Sequence, residues 1–169
     1  RPGGVAHCLP ADLRDPQEAE RVVAEAAERM RGLDILFNNA ALYQPGPVAG
    51  LSSADWEAHI ELNLSAPLWL GKAAYPWLKR SPSGVMINCL STLAQRPMAG
   101  VAAYNASKAA LLSLTQTRAL EWAPAGIRVV AVSPGVVDTP IHGGADLGPV
   151  AAMHPLGRVG KPEEIAAAA

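Results

Sequence analysis

Val85-Met86-Ile87 runs on toward Ser91, and a loop from Thr92 to Gly100 leads into Tyr104-Asn105-Ala106-Ser107-Lys108. The first piece is a short continuous apolar run and reads as a buried strand; the second opens a helix that extends to about Trp122. In that helix Tyr104 and Lys108 stand four residues apart, one turn along the same face. A free phenol has a pKa of roughly 10, and a positive charge within about 4–6 Å favours the phenolate. A Ser91 hydroxyl aimed at the same point would hold a substrate oxygen while the tyrosine gives or takes a proton. A tyrosine four residues before a lysine also arises often by chance, so the rest of the chain must decide what the pair means.

Upstream, Val5-Ala6-His7-Cys8-Leu9 reads as a buried strand, with Asp12 after it. Asp15-Pro16-Gln17-Glu18 is a helix start, with Asp as N-cap, Pro at the first turn and Glu two residues on. Val22, Val23, Ala26 and Met30 supply its buried stripe, and Gly32 is placed to end it. Ile35-Leu36-Phe37 is the next strand, running into Asn38-Asn39-Ala40-Ala41, and residues 43–50 form a loop. Ser52 with Asp55 caps another helix, carrying Ile60, Leu64 and Leu68. Asn63 lies inside it, and Pro67 and Pro76 are expected to interrupt it.

Downstream, Pro124-Ala125-Gly126 closes the tyrosine helix, and Ile127 to Val132 is a β-branched strand ended by Ser133-Pro134-Gly135. From Asp138 to Gly160 the chain is rich in Gly, Pro and His, which predicts a mobile, lid-like segment. Pro162 opens a last helix. Strand and helix thus alternate four times, and the strands are continuous apolar runs. That pattern predicts an α/β fold with a doubly wound parallel sheet covered on both faces. Ligands bind such sheets beyond the carboxyl ends of the strands. Asp12, Asn38, Ser91 and Pro134-Gly135 each follow a predicted strand, so they would line one rim, where Tyr104 also arrives.

The 169 residues suffice for a single domain. A net charge of −1 with no Lys/Arg cluster argues against nucleic acid or an anionic membrane as partner. No apolar stretch reaches the ~20 residues of a membrane span. Cys8 and Cys89 form neither a disulfide framework nor a metal-ligand pattern. Both sit in apolar runs and read as buried, reduced thiols, which suits the cytoplasm. The chain starts without methionine and stops inside an apparent helix, so it reads as an internal piece of a longer protein.

With these residues together, the chain resembles a short-chain dehydrogenase/reductase from Asp12 to its end. The resemblance rests on Asn38-Asn39-Ala40-Ala41, Asn63, Ser91, Tyr104 with Lys108, and Pro134-Gly135 with Thr139, all in matching order and spacing. It implies a Rossmann-like fold, here with the third to sixth strands. It also implies NAD or NADP as cofactor and hydride exchange with an alcohol or ketone. Tyr104 would be the general acid or base, Lys108 would lower its pKa and bind the nicotinamide ribose, and Ser91 would orient the substrate oxygen. Asn63 would sit at a helix break and anchor a water of the proton relay. Asp12 resembles the residue that touches the adenine. Asn38 and Ala40 would border the cofactor, Asn38 also tying strands together. Pro134 and Gly135, the Val137 backbone and the Thr139 hydroxyl resemble the groups on the nicotinamide side. The resemblance further implies a homotetramer or homodimer.

The chain departs from the family at Ala41, where glycine is usual, and at Val130, where asparagine often stands. The family's glycine-rich phosphate loop has no counterpart in these residues, which leaves the choice between NAD and NADP unreadable. It also makes turnover by residues 1–169 alone unexpected. Leu93, Gln95, Tyr43, Val136, Ile141 and Met153 are candidate substrate walls by position. His142 and His154 read more readily as surface histidines than as functional ones, and Arg118 with Glu121 reads as a solvated or interface pair. Two other functions compete with the oxidoreductase. A non-catalytic nucleotide-binding relative would be expected to lose Tyr104 or Lys108, and an extended-type epimerase or dehydratase fits poorly with the Asn38 block.

Overall fold

The computed structural model describes residues 4–169. Helix α1 (Pro16–Met30) begins at Asp15, whose side chain accepts from the Gln17 N–H, as the cap sequence predicts. It ends one residue earlier than Gly32 suggests. Arg31 takes the left-handed conformation (φ 60°), with its N–H and that of Gly32 returning to the last turn. The buried stripe is Ala19, Val23 and Ala27, while Met30 is exposed, because the helix turns its alanine face to the core.

Strands β1 (Ile35–Asn38), β2 (Val85–Cys89) and β3 (Arg128–Val132) form one parallel sheet in the order β1-β2-β3. Ile35 stands opposite Val85 and Val85 opposite Arg128. The predicted strand at Val5–Leu9 does not form. Among the described residues it pairs with no other strand, Val5 is 83% exposed, and Cys8 is exposed rather than buried. A lone extended segment has no ladder to satisfy its backbone and leaves it to water. Asp12 therefore follows no strand, and three features rather than four mark the strand ends. The outer edge of β1 is likewise unpaired among the described residues, with Ile35 58% exposed.

Helices α2 (Ser53–Ile60) and α3 (Ala66–Leu78) flank one π-helical turn, Glu61–Ser65, where Ala66 N–H reaches back to Glu61 C=O. Pro67 explains the break. It has no N–H for the carbonyl four residues earlier, that of Asn63, and its ring crowds that carbonyl. Pro76, by contrast, is absorbed inside α3 without ending it. Helix α4 (Ala102–Trp122) runs to the predicted residue, and Gly126 (φ 75°) closes the turn into β3. Short helices α5 (Gly148–Ala151) and α6 (Pro162–Ala168) follow.

The core lies between α1, α3 and the sheet, around Leu70, Leu78, Met86 and Trp122. Arg118 is inside it, not solvated. Its guanidinium donates to the carbonyls of Pro67 (2.8 Å) and Leu68 (2.6 Å) and lies over the Trp122 ring. Burial pulls its pKa down to about 10, opposed by Glu121. An apolar side chain could bury this area, but only a long fork reaches two backbone acceptors on the facing helix.

Gly84 sets how closely the end of α3 approaches β2. A Cβ there would sit 2.3 Å from the Leu78 carbonyl oxygen, a backbone atom that cannot swing aside. Gly84→Ala is expected to cost about 2–3 kcal/mol, read as a lower urea midpoint at unchanged m-value. A variant as stable as the parent would show that the two elements part without cost.

Candidate active site

The carboxyl ends of the three strands deliver Asn38, Ser91 and Pro134-Gly135 to one rim. Asn38, the last residue of β1, is buried, and its Nδ2 donates to Asn88 Oδ1 on β2 at 2.8 Å. Asn88 Nδ2 donates in turn to Thr115 Oγ1 (2.9 Å), which donates to the Leu111 carbonyl within α4. This buried relay fixes β1, β2 and α4 together, so the predicted strand-tying role of Asn38 has a structural counterpart. Nothing in the sequence singles out Asn88 and Thr115, since a polar residue inside an apolar run carries no sign of its partner.

Tyr104 and Lys108 lie one turn apart on α4, with the Lys108 Nζ 5.6 Å from the tyrosine ring centre. Lys108 is only 2% exposed, and its ammonium donates to the Cys89 carbonyl at 2.7 Å. Burial pushes its pKa down, with the Cys89 thiol opposing. Burial also pushes the Tyr104 phenol up; the Ser91 hydroxyl beside it pulls the other way, while Cys89 and Tyr43 add to the rise. Burial outweighs the Ser91 contribution, so the Tyr104 pKa lies above its ordinary value. Ser91 is buried two residues beyond β2 and accepts the Leu93 N–H.

Because burial penalises the ammonium, Lys108→Met is expected to leave the thermal midpoint unchanged or raise it, while activity falls ~10²-fold or more. A midpoint lowered by several degrees would show that the bond to Cys89 outweighs the cost of burying the charge.

Asn63 lies in the π turn and is fully buried. Its Oδ1 accepts the Leu42 N–H (2.7 Å), and its Nδ2 donates to the Leu42 carbonyl (2.9 Å) and to Ser107 Oγ (3.0 Å). Ser107 Oγ donates to the Tyr104 carbonyl. Asn63 thus clamps the loop after β1 to the tyrosine helix. Tyr43, next along that loop, packs edge-on against Tyr104 with ring centres 5.2 Å apart, and His142 meets Tyr43 at 5.8 Å. Tyr43, which the sequence places near the rim, thus packs on Tyr104, and His142, which reads as a surface histidine, meets Tyr43.

Beyond β3, the Thr92 N–H donates to the Pro134 carbonyl, and Val137 bridges to Gly160. The Thr139 hydroxyl points back to the Val137 carbonyl at 3.4 Å. The segment predicted to be a mobile lid is joined at its neck by the Val137–Gly160 bridge, and it carries α5. Ala40 is exposed and, with Asn38 and Asn39, lines an apolar hollow of about 280 Å³ bounded by Leu13, Val22, Leu36 and Leu70. Tyr104 and Lys108 do not line it. Asp12 is exposed and gripped through both oxygens by Arg14, which holds its carboxyl at about 2. The structure thus brings Asn63, Ser91, Tyr104 and Lys108 together, with Asp12 set apart. Among the described residues no cluster of His, Cys, Asp or Glu could hold a metal ion, and no helix is long and apolar enough to cross a membrane.

A family model described as "Enoyl-(Acyl carrier protein) reductase" matches residues 1–169. The cis-4-hydroxycyclohexanecarboxylate dehydrogenase of Sinomonas cyclohexanicum is 36% identical over 161 residues, covering 93% of this chain and 65% of that protein. The chain therefore spans about two thirds of that relative's length. Among solved structures, a short-chain dehydrogenase from Burkholderia cenocepacia in complex with NADP superposes with a TM-score of 0.88 at 35% identity, covering 94% of this chain and 65% of the other. The ligand-free aldohexose dehydrogenase of Thermoplasma acidophilum reaches a TM-score of 0.90 at 28% identity, over 99% and 71% of the two chains. Rossmann-like sheet, site and similarity agree: the chain belongs to the short-chain dehydrogenase/reductase family.

Proposed function

We propose that residues 1–169 form one partial Rossmann-like domain of an NAD(P)-dependent oxidoreductase that interconverts an alcohol and a ketone or aldehyde. The observation that carries this reading is the grouping of Ser91, Tyr104 and Lys108 at the carboxyl ends of parallel strands, with Ser91 and Lys108 buried and the Lys108 ammonium 5.6 Å from the Tyr104 ring centre. Relatives named as dehydrogenases and the NADP-bound neighbour support it.

The residues present fit the nicotinamide half of such a cofactor. The Lys108 ammonium has three N–H groups and, among the described residues, one acceptor, so donors remain for ribose hydroxyls. Asn38 Oδ1 is buried without a partner among the described residues, an acceptor in want of a donor at the same rim. Pro134, Gly135, the Val137 backbone and the Thr139 hydroxyl would hold the nicotinamide amide, Ala40 would border the cofactor, and Asp12 would meet the adenine. When bound, the nicotinamide supplies or accepts the hydride.

The chain's own residues handle the proton. Ser91 orients the substrate oxygen and Tyr104 donates its proton to that oxygen in reduction, or takes it in oxidation. Lys108 stabilises the phenolate that remains, and Asn63 holds the loop that brings Tyr43 over the phenol. The substrate is a small-molecule alcohol or ketone of medium size, walled by Tyr43, Leu93, Gln95, Val136, Ile141 and Met153, with His142 beside Tyr43. We assign the complete protein to the cytoplasm as a homodimer or homotetramer, without nucleic acid or membrane as partner. Following nicotinamide absorbance with panels of secondary alcohols and ketones tests the reading. Turnover by the complete protein supports it, and no hydride transfer with any alcohol or carbonyl would overturn it.

A further inference from the structure

His154 read from sequence as a surface histidine, but its ring is wedged between two backbone groups. Nε2 lies 2.9 Å from the Val136 amide nitrogen, and Nδ1 lies 2.9 Å from the Val150 carbonyl oxygen. A carbonyl only accepts, so Nδ1 carries the proton; an amide N–H only donates, so Nε2 must be the bare acceptor. Both contacts demand the same neutral tautomer. Gly135 is the matching half of the device. A Cβ at that position would stand 2.7 Å from His154 Nε2, so any other residue would push the ring off its seat.

The main chain on both sides is held independently of the ring. The His154 N–H bonds to the Ala151 carbonyl (3.0 Å), and the His154 carbonyl accepts from Gly157 (2.8 Å). The Val136 carbonyl accepts from Gly160 (2.8 Å), and Asp138 N–H bonds the Gly160 carbonyl. The imidazole therefore joins two locally rigid pieces, the α5 segment and the turn that follows β3. With the Thr92 bond on Pro134, that turn is gripped from the Ser91 side and from the α5 side at once.

We propose that His154 is a positioning residue, a neutral Nδ1-protonated imidazole that latches the α5 segment onto Val136 and so sets the Val137 backbone and Thr139 for the cofactor. This rests on the reading of Pro134–Thr139 as the nicotinamide side of the site. His154 acts through the turn and touches no reacting atom.

Two kinds of measurement test it. In the unsubstituted protein, nitrogen NMR of the imidazole is expected to show Nδ1 protonated and Nε2 bare, and the Val136 amide to exchange slowly with solvent. An Nε2-protonated ring would overturn the proposal without any variant having to fold. In the complete protein, His154→Leu is expected to speed Val136 exchange and raise the KM for the nicotinamide cofactor about tenfold, the worth of roughly one hydrogen bond. The substrate KM and kcat should change by less than about threefold. His154→Gln, whose amide oxygen can reach the Val136 N–H, should recover most of the loss. A leucine variant with parent-like cofactor KM and exchange, or a glutamine variant no better than leucine, would also overturn it. These outcomes separate from failure of the oxidoreductase reading, because the tautomer and the Val136 exchange do not depend on turnover.

Discussion

Tyr104→Phe is expected to lower kcat about 10²-fold or more while leaving cofactor affinity and the thermal midpoint near the parent values. The substitution removes only the hydroxyl. The ring stays edge-on to Tyr43, so the packing of the loop after β1 on α4 is preserved. What is lost is the hydroxyl that, in the proposed mechanism, moves a proton to or from the substrate oxygen. The pH profile sharpens the test. Burial raises the phenol's pKa, so at neutral pH the parent holds the proton needed for reduction. Oxidation needs the phenolate, so its rate should climb with pH through the tyrosine's titration while reduction declines. In the phenylalanine variant that limb should vanish from both. A variant that keeps more than about a tenth of the parent rate, or that keeps the limb, would remove Tyr104 from its role.

Asn63→Ala is expected to carry the largest stability loss, about 2–4 kcal/mol. Alanine strands the N–H and the carbonyl of Leu42, each on the order of 1–3 kcal/mol when buried without a partner. For a chain of this size that corresponds to a midpoint lowered by roughly 5–15 °C. Asn63→Asp is a useful second variant. It keeps an acceptor for the Leu42 N–H but sets a carboxylate oxygen against the Leu42 carbonyl and loses the donor to Ser107. Both variants should also lose activity, since Tyr43 follows Leu42 and packs on Tyr104, the proposed general acid. Denaturant unfolding checks the first effect. An alanine variant within about 1 kcal/mol of the parent would mean that the π turn, not the side chain, holds the loop.

Local chemistry accounts for what was legible. The Asp15-Pro16 cap, the Gly126 turn and the apolar runs at Ile35, Val85 and Ile127 are decided by residues within one turn or one strand, and they formed where read. The failures share a different cause. Val5–Leu9 has the composition of a strand, but a strand exists only when another chain segment completes its ladder. Arg118 has the composition of a surface residue, but the carbonyls of Pro67 and Leu68 lie across the core, some fifty positions away in the chain.

The site divides in the same way. Sequence alone determined which groups could do acid–base chemistry and that they would gather at the strand ends, because helical spacing and strand direction are properties of the local chain. Tertiary structure decided their state. Burial, which no short stretch encodes, raises the pKa of the Tyr104 phenol and lowers that of the Lys108 ammonium. It also decided which ordinary residues serve the site. Asn63 clamps Leu42, Asn88 ties Asn38 to α4, and His154 seats against Gly135. Each is a contact between positions far apart in the chain, so it is specified by the shape of the folded core.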